Sequence, residues 1–176
     1  MTDAARARRF QLLAFIDDGT GLPNSRAFGS AYRRRLKRFA NDGVTFGLLV
    51  SDLNDFGRFN ARYGWKVGTD ALCAYAHAAG CMLRHNRDLL CRVHGDEFVA
   101  IIEVTTREAL ERVAARIAGP VSFRVGNRSQ PITSTVVGVL ARRRDPDKLF
   151  EIAERQLRAT KRRNRERTAI TDPAFS

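Results

Sequence analysis

Three carboxylates stand where chain geometry could bring them together. Asp52 closes a short apolar run, residues 45–53 (TFGLLVSDL), and Asp96 and Glu97 follow directly on His94-Gly95. The run has the length and composition of a buried strand. His94-Gly95 reads as a two-residue turn between strand-like segments 89–93 and 97–102. If those strands are neighbours, Asp52 faces the hairpin tip. Carboxylates converging there would take Mg²⁺ or Mn²⁺, hard cations that prefer oxygen ligands and pair with triphosphates. Such an ion can activate a hydroxyl and steady a leaving pyrophosphate. Spacing alone leaves the alternative open that Asp96 and Glu97 are ordinary polar hairpin residues.

The elements that must position these groups can be read along the chain. Residues 4–15 carry Phe10, Leu13 and Ala14 on one side of a short helix. Asp17 to Asn24 is turn chemistry, and a helix over 25–40 follows, closed by Asn41-Asp42-Gly43. Thr69 is placed to cap a helix with Leu72, Tyr75, Ala76, Ala79 and Leu83 along one stripe. Thr105 and Glu108 have capping-box spacing ahead of the apolar face Leu110, Val113, Ala114 and Ile117. Residues 132–140 form another strand, Asp145-Pro146 opens a last helix through Leu149, Ile152, Ala153 and Leu157, and a tail begins at Thr168. The order β, α, α, β-hairpin, α, β, α describes a split βαβ arrangement, α/β with a ferredoxin-like centre.

Bulk properties bound the function classes. A chain of 176 residues with 44% hydrophobic and 28% charged residues suits one globular domain. Three cysteines without CxxC spacing suggest reduced thiols. No apolar stretch approaches the ~20 residues that span a bilayer, and the apolar run after the basic start is too short for a signal peptide. A cytoplasmic location is expected. The net charge of +12, with arginine clusters at 33–38, 142–144 and 161–167, attracts polyanions or simply forms a solvated basic surface. No interleaved aromatic set for stacking on nucleic acid accompanies it, so no specific nucleic acid is expected.

Four separated motifs in order resemble the GGDEF domain of diguanylate cyclases. Cys91-Arg92-Val93-His94-Gly95-Asp96-Glu97-Phe98 is similar to the signature hairpin, with His94 at its first glycine. Asp17 with Thr20-Gly21-Leu22-Pro23-Asn24 and Arg26 is similar to the family opening. Asp52-Leu53-Asn54-Asp55-Phe56, Asn60, Tyr63-Gly64 and Val67-Gly68 resemble the central segment, and Ala153, Leu157, Lys161 and Arg165 the closing helix. The resemblance covers residues 17–167, leaving 1–16 as a linker helix and 168–176 as a tail or linker. It implies a palm fold with a mainly antiparallel sheet flanked by helices, and condensation of two GTP into cyclic di-GMP by a homodimer. By the same resemblance Asp52, the Leu53 carbonyl, Asp96 and Glu97 hold Mg²⁺ or Mn²⁺, and Asp96 helps activate the ribose 3′-hydroxyl. Asn60 reads guanine, the backbone near Phe56 lines the triphosphate, and Lys161 with Arg165 holds terminal phosphates. Linked sensory or EAL domains are expected in a longer protein.

Three departures surround the nucleotide. His94 replaces a glycine that suits a tight hairpin at positive φ; it is tolerated in the turn, crowds GTP, or contacts it. Gly57 stands where a lysine touches phosphate. Thr69 stands where an aspartate accepts from guanine, so either base choice relaxes or Thr69 serves as a helix cap. His85 replaces the arginine of an RxxD product-inhibition site that keeps Asp88, so weak or absent cyclic di-GMP binding is expected there. Two readings remain, an active cyclase and a degenerate module that regulates an attached domain.

Overall fold

The structure is a computed structural model that describes residues 14–141 and 146–171, the side chains of 146 and 164–171 excepted. The expected helix over 4–15 and the Asp145 helix start therefore fall largely outside the described residues. The chain runs α1 (Ser25–Asp42), β1 (Gly47–Leu53), α2 (Phe56–Tyr63), α3 (Trp65–Cys81), β2 (Leu89–His94), β3 (Glu97–Ile102) and α4 (Arg107–Ile117). It continues through β4 (Val121–Val125), β5 (Arg128–Ile132), β6 (Ser134–Leu140), a 3₁₀ turn (Pro146–Lys148) and α5 (Leu149–Thr171).

Four strands form one sheet in the order β2-β3-β1-β6, with every pairing antiparallel. All residues of central β1 are buried, because helices cover both faces. Leu49 and Leu53 pack with Ala71, Leu72, Tyr75 and Leu110 from α3 and α4. Leu48 and Val50 pack with Phe28, Leu149, Ala153 and Leu157 from α1 and α5. Strand alternation then puts Asp52 on the α5 face, and this is what brings the last helix to the chemistry.

Local signals explain the helix ends. Asn24 caps α1 by accepting from the N–H groups of Arg26 and Ala27, and Gly43 closes it at φ 67°. Elsewhere three expectations shift. The cap of α4 is Thr106, accepting from Ala109 N–H at 3.2 Å, not Thr105. Helix α3 begins at Trp65, so Thr69 is inside it and donates its hydroxyl to the Trp65 carbonyl at 3.1 Å instead of capping. Residues 121–132 form an unexpected hairpin, β4–β5, turned at Gly126 with φ 57°. It takes Ile132 from the expected strand, which is β6 from Ser134.

Candidate functional site

Strand pairing sets the acidic tip. Asp52 lies directly across from Glu97 in the β1–β3 ladder, and the Leu53 N–H donates to the Asp96 carbonyl at 3.3 Å. Asp52 is 8% exposed. From α5, Lys161 Nζ forms an ion pair with Asp52 Oδ1. Burial and then the neighbouring Asp52 carboxylate push the Asp96 pKa above its ordinary value. Burial, Asp52 and Glu154 push Glu97 the same way, with His94 opposing. Lys161 offsets the charge of Asp52, but Asp96 and Glu97 add like charge in a half-buried place, which costs stability unless a further cation is near.

The turn differs from the expected one by a residue. His94 ends β2 and pairs with Glu97 past a register shift between Arg92 and His94, and Gly95-Asp96 make the turn. Gly95 carries the positive φ of 50°, while Asp55 is the only described non-glycine residue with positive φ. The histidine therefore sits in strand backbone that any residue adopts, with its side chain exposed. The positive φ expected at His94 falls on Gly95 instead.

Arg92 ties the opening motif to this hairpin. Its Nη1 donates to Asp17 Oδ1 at 2.9 Å, its Nε to the Gly95 carbonyl at 2.8 Å, and its N–H to the Pro23 carbonyl at 2.9 Å. Asp17 also accepts from the Thr20 N–H and hydroxyl at 2.8 and 2.7 Å. Burial alone would raise its pKa, but these bonds hold it below the ordinary value. The role of Arg92 was missed in the sequence; a lone arginine two residues before a turn carries no signal of a partner 75 positions away.

After β1 the chain is fastened and then turned into α2. Asn54 donates to Thr133 Oγ1 at 3.0 Å and accepts from Thr135 Oγ1 at 2.8 Å. Asp55, at φ 53°, makes no side-chain cap, so the first N–H groups of α2 at Phe56 have neither an intrahelical nor a cap partner there. Gly57 is exposed, and a β-carbon on it would meet nothing within 4 Å. Space does not exclude a side chain there. One turn on, Asn60 Oδ1 is buried without a hydrogen-bond partner. It packs on Gly68 of α3, where an added β-carbon would come within 1.8 Å of it. Half a turn of the amide would exchange its oxygen and NH₂, so the group can offer either to a polar edge.

Among the described residues no three His, Cys, Asp or Glu side chains form a closed metal cluster. Two adjoining carboxylates are nonetheless the donor set of Mg²⁺ sites that take the rest of their oxygens from water and substrate phosphates. A tip of this kind, followed by an open helix start and an orphaned amide, suits a nucleoside triphosphate. Residues 14–167 match the family model described as "Diguanylate cyclase, GGDEF domain". The chain belongs to the GGDEF family.

Relatives bear on the GGDEF domain as a part of larger proteins. It is 33% identical over 142 residues to the cyclic di-GMP phosphodiesterase PdeR of Escherichia coli K12, covering 79% of this chain and 21% of that protein. It is 32% identical over 165 residues to the diguanylate cyclase DgcP of Pseudomonas aeruginosa, covering 89% and 24%. The chain thus spans between a fifth and a quarter of these two relatives. The diguanylate cyclase SiaD of P. aeruginosa, solved with its activator SiaC, superposes with a TM-score of 0.75 at 26% identity, covering 90% of this chain and 66% of that one.

The GGDEF structure brings Asp52, Leu53, Asp96, Glu97 and Lys161 together at one tip, and Asn60, Gly68 and Thr69 along the α2–α3 junction. Lys161 contacts Asp52, a partner the sequence did not suggest. Thr69 is exposed. Arg165 lies in α5, but its side chain is outside the described residues. At the far end of the hairpin Asp88 is held by Arg84 and by the Glu103 N–H. A cleft of about 520 Å³ opens beside it, lined by Arg84, Arg87 and Glu103 and away from the tip.

Proposed function

We propose that this GGDEF domain is a diguanylate cyclase that condenses two GTP molecules into cyclic di-GMP, with relaxed base choice. The observation that carries the reading is the crowding of Asp52 and Asp96 at the hairpin tip, with Asp96 held above its ordinary pKa by burial and by Asp52. Asp52 and Asp96 would hold Mg²⁺ or Mn²⁺, assisted by the Leu53 carbonyl and Glu97. When bound, the ion supplies charge neutralisation at the phosphates and acidifies a coordinated hydroxyl. Asp96 would help take up the proton of the ribose 3′-hydroxyl as that oxygen attacks the α-phosphorus of the second GTP and pyrophosphate leaves. The N–H groups at the start of α2 face the phosphates. Lys161 exchanges Asp52 for a terminal phosphate, with Arg165 beside it. Asn60 meets the base edge. Thr69, a single hydroxyl in place of a bidentate carboxylate, leaves adenine less disfavoured. Two such domains, one GTP on each, complete the reaction, and the remainder of a longer protein would carry sensory or EAL domains in the cytoplasm.

A second reading, a regulatory module without turnover, is favoured by the match to a relative named as a cyclic di-GMP phosphodiesterase and by Gly57 at a phosphate-contact position. Mass spectrometry of products from GTP and ATP with Mg²⁺ or Mn²⁺ separates the two. A cyclic dinucleotide made by the wild type and lost in Asp96→Ala supports the cyclase. No product at a protein concentration that favours dimers supports the module.

A further inference from the structure

The chain has one tryptophan, and Trp65 is the most exposed large apolar side chain described, at 81% against 40% for Phe15. It opens α3 immediately after Gly64, whose φ of 85° breaks the chain away from α2. Residues 65, 68, 69 and 72 are three or four apart and share a helix stripe. Burial changes sharply along that stripe. Leu72 is in the core, Gly68 is buried against the Asn60 amide, and Trp65 is open. Helical side chains lean toward the N-terminus, so the indole extends the stripe outward beyond the Asn60–Gly68 contact. The Thr69 hydroxyl is bonded to the Trp65 carbonyl at 3.1 Å, which fixes both residues in the same turn. The surroundings are charged: Lys66 follows, paired with Asp70 Oδ2 at 3.8 Å, and Arg62 lies 5.2 Å from the Tyr63 ring centre.

We propose that Trp65 stacks on the purine base of the bound nucleotide and supplies the base-indifferent share of recognition. The inference rests on the nucleotide-binding reading above. The orphaned Asn60 amide of α2 reads a base edge, and the open indole, one turn of α3 before the Gly68 on which that amide packs, offers the base a face. Stacking tolerates either purine because each has a π-face, so this contact compensates for the carboxylate that Thr69 does not provide without restoring guanine selectivity.

The single tryptophan is also its own reporter. Trp65 emission is expected to change saturably with GTP and with ATP in the presence of Mg²⁺, at the Kd found by calorimetry, and to stay unchanged with inorganic tripolyphosphate. Trp65→Ala should weaken both nucleotides by a similar factor, about tenfold, while Trp65→Phe keeps most of the affinity. The position is exposed, so neither variant threatens the core. Calorimetric GTP binding with silent emission and an unchanged Kd in Trp65→Ala overturns the stacking role and leaves the nucleotide site standing. Loss of self-association in Trp65→Ala at unchanged Kd overturns it too, assigning the indole to a second copy. Absence of any GTP binding overturns both inferences together.

Discussion

At the open end of the β2–β3 hairpin both carboxylates have cationic or N–H partners, whereas at its closed tip Lys161 pairs with Asp52 and, among the described residues, no ion pair reaches Asp96 or Glu97. Asp88, just before β2, accepts from Arg84 Nε at 3.0 Å, Arg84 Nη2 at 2.9 Å, the Arg84 N–H at 3.0 Å and the Glu103 N–H at 2.9 Å. Glu103, just after β3, accepts from Arg35 Nη1 at 2.6 Å. Burial pushes Asp88 upward, but its bonds with Arg84 and the Glu103 N–H prevail and lower its pKa; the Arg35 bond lowers that of Glu103. At the tip the signs reverse, and Asp96 and Glu97 are both raised by burial and by Asp52. One hairpin therefore carries a structural clamp and a strained acidic site. Groups that fold the chain are satisfied within it, and groups kept for a ligand are left partly to the ligand.

The comparison breaks first at Asp88. Asp88→Ala leaves Arg84 and the Glu103 N–H without their carboxylate and should cost about 2–3 kcal/mol, read from the urea midpoint at unchanged m-value. Turnover per folded molecule should hold. The sign with pH follows from the same shift. Because Asp88 and Asp17 have folded pKa values below the ordinary 3.8, the stability they supply is complete above that pH and is lost as pH falls through the lowered values. The share of stability that Asp88 supplies should be lost as pH falls below 3.8 in the wild type, and in Asp88→Ala that portion of the acid transition should be missing.

Smaller effects sharpen the tip. Thr69→Asp should shift the GTP-to-ATP preference toward GTP by about tenfold, the effect of one added charge-assisted bond, measured by competing the two nucleotides. An unchanged ratio would remove Thr69 from the base site. His94→Gly should change turnover by no more than about twofold, since His94 occupies ordinary strand backbone and Gly95 carries the turn. A large gain on removing the imidazole would show that it crowds the nucleotide after all.

Much of this arrangement was legible from the residues. The buried run ending in Asp52, the capped helix after Asn24 and the acidic hairpin all announced themselves by local pattern. What was not legible depends on tertiary pairing. The register shift between Arg92 and His94 moves the turn by one residue, and no local rule reveals a bulge before the partner strand is known. The β4–β5 hairpin hides behind Pro131, which weakens a strand reading, although Gly126-Asn127 between alternating residues was an available turn signal. Thr69 looked like a cap because a hydroxyl serves a helix start and an i−4 carbonyl alike. The Lys161–Asp52 pair spans 109 positions and exists only because strand alternation faces Asp52 toward α5.

The central claim is that the tip is held at a cost for a cation and a nucleotide. Thermal unfolding of the wild type and Asp96→Asn, each with and without Mg²⁺ and GTP, tests it directly. Without ligand the variant should melt at a higher temperature, because a carboxylate whose pKa is raised in the folded state destabilises that state once ionised. With Mg²⁺ and GTP the wild type should rise and the variant should gain little. A variant that melts lower without ligand, or a wild type that Mg²⁺ and GTP leave unmoved, would contradict the account.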